Sequence, residues 1–371
     1  KTSTYFVNPL KAMPFTGLGS IVKQTLFCAF INIGKANSSV NILFISLILD
    51  FSKLTKYNNY ICRVKGTVIK STGKRYTVKT EDGEVVQCRL KGKFRIAGIT
   101  STNPVVVGDK VEAEKESELW MILKLFERKN HILRKSVNLS KQTHIIAANV
   151  DQAILMITLD SPVTTTGFID RFLVAANAYG VDVILLFNKI DILSDELKTQ
   201  QENLKKVYEK IGYTCFATSV INDDLSEIKK LMKGKVNIIS GHSGVGKSTL
   251  INTLQPNLNI NTKEVSYMHQ QGQHTTTFSE LHDLDFGASI IDTPGIRGFG
   301  LVELDSAEIG NYFQEFFALK SGCKFHNCIH KNEPNCAVKL ALENGEIAVS
   351  RHKNYLKMLV EEEEHFRTND Y

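Results

Sequence analysis

The residues best suited to chemistry stand in one run, Gly241-His242-Ser243-Gly244-Val245-Gly246-Lys247-Ser248-Thr249. Three glycines let successive backbone N–H groups turn toward an anion. The Lys247 ammonium can then reach the outer phosphates of a nucleotide, and the Ser248 hydroxyl can ligate Mg2+. All nine residues are expected to line the phosphates. Such a loop needs a strand before it and a helix after it. Residues 236–240 read as a short buried strand and 249–254 have helical spacing, so the context is met.

A second group tells which base would be held. Residues 181–187 form an apolar run that ends in Asn188-Lys189-Ile190-Asp191. The Asp191 carboxylate can accept both N1–H and the 2-amino group of guanine. Adenine lacks that donor pair and would leave a carboxylate unmatched, which is costly. Asn188 is expected to hold the loop, and the Lys189 stem to pack over the ring. After a strand at 213–217, Thr218-Ser219-Val220 offers backbone N–H groups for guanine O6, with Ser219 the expected contact.

Two further segments suit the terminal phosphate. Within Gly272-Gln-His-Thr-Thr-Thr277, Thr276 is expected on Mg2+ and the γ-phosphate. In Asp292-Thr-Pro-Gly295, Asp292 suits the outer sphere of Mg2+ and the Gly295 N–H suits the γ-phosphate. Many nucleotide hydrolases place a glutamine directly after this tetrad to orient water; here Ile296 stands there and cannot hydrogen-bond. His274, just before the threonine run, is therefore the expected catalytic group beside Lys247 and Thr276, with Arg297 as the alternative. The order of motifs is unusual, because the guanine-reading pair precedes the phosphate loop. A circular permutation of one domain explains this. It keeps every strand–loop unit intact and only relocates the termini.

Near the end, Cys323, Cys328, His330 and Cys336 fall within 14 residues, a Cys3His set able to close a tetrahedral zinc site. His326 is a rival ligand. The other cysteines are scattered, which suits a reducing compartment rather than a secreted disulfide framework.

The elements around these groups can be read in turn. Residues 1–60 carry six lysines and one acid, and residues 61–145 carry 18 basic and 9 acidic residues, whereas the whole chain has a net charge of +6. A basic N-terminal part beside an acidic remainder suggests a polyanionic partner for the former. Residues 1–60 are read as a non-native or poorly ordered extension of unknown role. Their apolar stretch, 40–49, is too short to cross a bilayer. Residues 61–128 alternate with period two over 66–80, 83–92, 105–113 and 119–125, punctuated by glycine, and are expected to form a small OB-type barrel. Its exposed faces would carry Lys70, Lys74, Arg75, Lys79, Arg89, Lys91, Lys93 and Arg95 with Tyr76 and Phe94 interleaved, which suits RNA. Residues 129–145 read as a linker, 146–315 as an α/β nucleotide-binding domain, and 316–371 as a zinc-binding helical unit. Residues 337–364 are expected to be one helix.

This combination resembles the circularly permuted, ribosome small-subunit-dependent GTPases of the RsgA/YjeQ family, from about residue 61 to the end. The resemblance implies a multidomain GTPase with one structural Zn2+ and a nucleotide-bound Mg2+. It also implies GTP and GDP as ligands, and a 30S ribosomal subunit and its rRNA as partners in late maturation of that subunit. A cytoplasmic monomer with no membrane attachment is expected. The other readings are a nucleotide-gated RNA-binding module whose hydrolysis is incidental, and a P-loop ATPase.

Overall fold

The computed structural model describes residues 62–73, 75–90, 104–116, 119–135, 143–258, 279–292 and 305–369. The N-terminal extension, Lys74, Lys91, Lys93, Phe94, Arg95, His274, Thr276 and Gly295 lie outside them.

Five short strands open the described chain: β1 (Arg63–Ser71), β2 (Tyr76–Thr80), β3 (Val85–Leu90), β4 (Lys110–Glu116) and β5 (Leu119–Leu125). β1 pairs with both β2 and β4, β2 with β3, β3 with β5, and β5 with β4, so the ladder closes into a barrel. Strand alternation sends Val68, Tyr76, Val78, Cys88, Val111, Ala113 and Ile122 inward, where they form one apolar cluster. Tyr76 therefore does not join the exposed basic face. Its ring is buried in the barrel and its hydroxyl donates to Gly73 O at 3.3 Å. The strand expected at 105–113 begins only at Lys110. Residues 105–109 turn around the buried Asp109, whose carboxylate accepts from Val106 N and takes Arg128 through Nε and Nη2, each at 2.7 Å.

The expected linker is partly strand. β6 (His131–Lys135) pairs antiparallel with β7 (Thr143–Ala148), and the register shifts between Ile132 and Leu133. That irregularity and the charged ends of β6 hide its period.

An α/β layer follows: β8 (Gln152–Ile157), α1 (Thr166–Ala178), β9 (Asp182–Phe187), α2 (Asp195–Lys210), β10 (Thr214–Ala217), α3 (Ser226–Met232), β11 (Val236–Ser240), α4 (Lys247–Leu254), β12 (Glu280–Asp283) and β13 (Ser289–Asp292). The strand order is β10-β9-β8-β11-β13-β12, parallel except for β12. All six residues of β8 are buried, as a strand covered by helices on both faces requires. Thr165 and Ser194 cap α1 and α2 by accepting from Phe168 N and Leu197 N. At the far edge β12 also pairs with β1, so barrel and α/β layer share one continuous eleven-stranded sheet.

The C-terminal unit comprises α5 (Ser306–Ile309), α6 (Gln314–Leu319), α7 (Ala337–Glu343) and α8 (Val349–Asn369). The single helix expected over 337–364 is two. α7 stops at Asn344, and Glu346 N closes the turn on Ala341 O. Ile309 and Phe313, expected in the nucleotide domain, pack instead with Phe316, Val338, Tyr355 and the cysteines. Arg351 on α8 joins this unit to α1. Its Nη1 lies 2.6 Å from Asp170 Oδ1, while Nε and Nη2 meet both oxygens of Glu315 at 2.7 and 3.0 Å. Asn354 and Tyr208 also donate to Asp170. Burial pushes the Asp170 carboxyl above its ordinary range, against the pull of Arg351 and these hydrogen bonds. Among the described residues no helix is long and apolar enough to cross a membrane.

Candidate functional site

The parallel strands bring the motifs together because each motif begins where a strand ends. Asn188 follows β9, Thr218 follows β10, Gly241 follows β11, and Asp292 is the last residue of β13. An open parallel sheet gathers its ligands along this carboxyl edge.

The phosphate loop has the backbone its glycines permit. Gly241 and Gly246 have φ of 141° and 101°. A Cβ at Gly241 would lie 2.6 Å from Met156 O, and one at Gly246 would lie 2.5 Å from Asn188 Nδ2. Neither position therefore accepts a side chain. Val245 is fully buried beneath the loop and anchors it to the core. The Lys247 ammonium folds back over the loop, 2.8 Å from Gly241 O and 2.6 Å from His242 O. Helix α4 begins at Lys247 and places Ser248 in its first turn, where N–H groups and the positive helix end favour an anion. Ser243, Gly244 and Thr249 are exposed at the rim. The His242 ring lies 4.0 Å from that of Phe168, tilted by 33°, so the first turn of α1 braces the loop.

Asn188 does more than hold its own loop. Its Nδ2 donates to Val245 O at 2.8 Å and its Oδ1 accepts from Val220 N at 3.1 Å. One buried amide thus ties together the guanine-reading tetrad, the phosphate loop and the Thr218-Ser219-Val220 segment. The O6 contact expected there has to be shared. Ser219 N donates to Asp223 Oδ2 at 2.6 Å and Val220 N to Asn188, so an incoming carbonyl oxygen must share one of these amides. Sequence reasoning missed Asp223, which also accepts from the Thr218 hydroxyl. Asp191 is exposed in a single helical turn, with its carboxylate accessible to a base.

The segment between β8 and α1 was missed as well. Lys189, at φ 63°, reaches Ser161 O with its ammonium at 2.7 Å. Pro162 stands beside Gly244, and the Thr158 side chain donates to Pro162 O. Residues 158–165 therefore form a third wall of the site; only the polar Thr158 and Thr164 and the Ser161-Pro162 pair hinted at a built turn.

The Cys3His set converges. The ligand atoms of Cys323, Cys328, His330 and Cys336 all lie within 4.8 Å of one another. Cys323 Sγ is 3.6 Å from His330 Nδ1 and 3.9 Å from Cys336 Sγ, and His330 Nδ1 is 3.3 Å from Cys336 Sγ. A tetrahedral zinc with ordinary bond lengths needs edges of about 3.6–3.8 Å, so the cradle fits. His326 is exposed and outside the cluster. Burial pushes the Cys328 thiol up to about 12 and holds His330 below its usual range, toward the neutral imidazole that ligates metal. A divalent cation would draw the thiol proton off. The loop is braced by Glu333, whose carboxylate accepts from Ile329, Lys331 and Asn332 N–H groups and is held low by them although burial opposes it. Tyr355 donates to Ile329 O, and His352 Nε2 lies 3.1 Å from His330 O, so α8 carries the site. Cys328→Ser is expected to lower bound zinc well below one equivalent and to loosen this unit, because site formation and local folding are coupled. Elemental analysis and limited proteolysis of the purified chain check this. Wild-type protein prepared without chelator and carrying no zinc would contradict it.

Comparisons with known proteins agree with the geometry. A family model described as RsgA GTPase matches residues 125–302, and one described as RsgA N-terminal domain matches residues 65–119. The small ribosomal subunit biogenesis GTPase RsgA of Flavobacterium johnsoniae is 56% identical over 82% of this chain and 96% of its own. That of Bacteroides fragilis is 49% identical over 81% and 98%. Among solved structures, YjeQ from Thermotoga maritima is 34% identical with a TM-score of 0.67, covering 81% of this chain and 98% of that one. YloQ, a circularly permuted GTPase, is 30% identical with a TM-score of 0.66, covering 83% and 98%. With a closed barrel, a nucleotide fold whose motifs run in permuted order and a Cys3His cradle in the same succession, the chain belongs to the RsgA family of GTPases.

Proposed function

We propose that this chain hydrolyses GTP during late maturation of the 30S ribosomal subunit, that its barrel and zinc-binding unit contact rRNA, and that the subunit stimulates its turnover. The observation that carries the reading is the convergence of the phosphate loop and the Asn188–Asp191 tetrad on one sheet edge, tied by a single asparagine. The names of relatives that match almost end to end supply the ribosomal part. With a ribosomal subunit as partner, the cytoplasm is the compartment, and a monomer is the working form.

In this reading the loop 241–249 cradles the phosphates, with Lys247 neutralising charge on the outer two. Ser248 and Thr276 would hold Mg2+, with Asp292 behind them and Gly295 on the γ-phosphate. Held by these residues, Mg2+ would supply positive charge against the charge developing on the phosphate oxygens. His274 would accept a hydrogen bond from the attacking water. Asp191, Lys189 and Asn188 read and hold guanine, and Ser219 lies beside O6. The four residues at Cys323, Cys328, His330 and Cys336 hold one structural Zn2+.

Asp191→Asn is expected to weaken GTP binding by about 1–3 kcal/mol, since an amide cannot accept from both guanine donors. A purine nucleotide with oxygen in place of the 2-amino group should then compete better than GTP. Calorimetric titration with both nucleotides checks this, and unchanged GTP affinity would remove the guanine assignment. The functional reading as a whole is tested by turnover of GTP with and without purified 30S subunits. Stimulated hydrolysis is expected. Equal rates in both would leave a nucleotide-gated RNA-binding module instead.

A further inference from the structure

Two lysines expected to face RNA are engaged with the nucleotide domain. Lys70 Nζ lies 2.8 Å from Glu280 Oε2, and Lys79 Nζ lies 2.5 Å from Asp283 Oδ2. Glu280 and Asp283 are the first and last residues of β12. β12 and β13 form a hairpin that joins the threonine run ending at Thr277 to the tetrad beginning at Asp292. The register makes this placement specific. Lys70 is the cross-strand partner of Glu280, and Glu280 is the cross-strand partner of Asp292. A barrel lysine, the hairpin acid and the acid expected behind Mg2+ thus stand in one row across three strands. With strands about 4.8 Å apart, the Lys70 and Asp292 backbones are about 10 Å from each other.

We infer that the Lys70–Glu280 ion pair is a positioning contact for GTP hydrolysis, holding the hairpin and hence Asp292 against the barrel so that RNA engaged by the barrel alters turnover. Among the described residues β12 meets β1 at one paired position, and the side-chain contacts add to that attachment. Lys79–Asp283 fixes the opposite end, and Asp283 also accepts from the Ser289 hydroxyl at 2.7 Å, which ties it to the start of β13. Lys70 and Glu280 are both partly open to solvent, at 44% and 36% side-chain exposure, so RNA lying on the barrel can load or release the pair whichever strand carries its cation. The inference rests on the proposed rRNA contact of the barrel and adds the route by which that contact reaches the reaction.

The test uses the full chain and its charge reversals Lys70→Glu, Glu280→Lys and the double reversal. Turnover is measured with and without saturating 30S subunits, together with KM for GTP and cosedimentation with subunits. Each single reversal should lower the ratio of stimulated to unstimulated kcat by at least about fivefold, the low end of coupling between sites. KM and subunit association should stay within about twofold, and the double reversal should restore the ratio, as interacting neighbours do in a mutant cycle. Singles that match wild type, or a double that restores nothing, would overturn the inference and leave the functional reading intact. A ratio that falls only in step with subunit association would also overturn it, making Lys70 an RNA ligand and nothing more. A wild-type chain that subunits do not stimulate would remove the functional reading and this inference with it.

Discussion

Lys247→Ala is expected to cut GTP turnover by at least about 100-fold, the scale of losing one positioned charge-stabilising donor. The ammonium lies over the phosphate loop, within 2.8 Å of two of its carbonyl oxygens. Charge spreads over the phosphoryl oxygens in the transition state, and catalysis there is almost wholly positioning and electrostatics. The loop has no other lysine or arginine. Binding should suffer less than turnover, because the loop's N–H groups and the α4 terminus still receive phosphate. Single-turnover hydrolysis beside nucleotide affinity separates the two effects. A rate within tenfold of wild type would show that Lys247 is not the group that meets developing charge.

Arg351→Met is expected to destabilise the chain by about 3–5 kcal/mol, the cost of breaking a buried ion pair from one side. Arg351 is 1% exposed and spans Asp170, which is buried, and Glu315, which is partly buried. Its guanidinium also lies 4.3 Å from the Phe313 ring centre. Without it two carboxylates face each other in an apolar setting with no cation between them. Urea unfolding should show the loss, and adding Asp170→Asn with Glu315→Gln should recover part of it, because the unpaired charges are then gone. A single variant that loses less than about 1 kcal/mol would mean the network is solvated in solution. Such a loss should also loosen the zinc-binding unit, since α8 carries both Arg351 and the Tyr355 and His352 contacts to the metal loop.

The nucleotide motifs were legible because their chemistry is local. A loop that must wrap phosphate needs glycine, lysine and serine at fixed spacing, and the spacing survives in the linear order. The permuted order was legible for the same reason. What escaped was long-range. Nothing near Arg351 announces Asp170, which is 181 residues away. Asn188 reads as a base-side residue, yet its amide closes on Val245, 57 residues further on. Lys70 and Lys79 look like free surface charge until β12 arrives beside β1. Tyr76 was placed outside because the alternation of β2 has two registers, and only the closed barrel selects the one with Tyr76 inward. The β6 strand was hidden by its charged ends and a register shift. The metal cradle was legible as a ligand set, whereas its support by Glu333 and α8 was not.

The strand order has a consequence for how the chain is made. β8 lies between β9 and β11, yet β11 starts at Val236, almost 80 residues after β8 ends at Ile157. On a translating ribosome β8, β9 and β10 emerge first, and the central position beside β8 stays open. At usual elongation speeds of roughly 5–20 residues per second the gap lasts about 4–16 seconds. Throughout it a strand that is apolar at every position but Gln152 presents an unpaired edge, the feature most apt to recruit a wrong partner. The phosphate loop follows directly on β11, so the segment that seals this edge also brings the phosphate loop to the guanine-reading tetrad. Nascent chains halted before residue 236 should therefore be captured by chaperones, and those extended past α4 should be released.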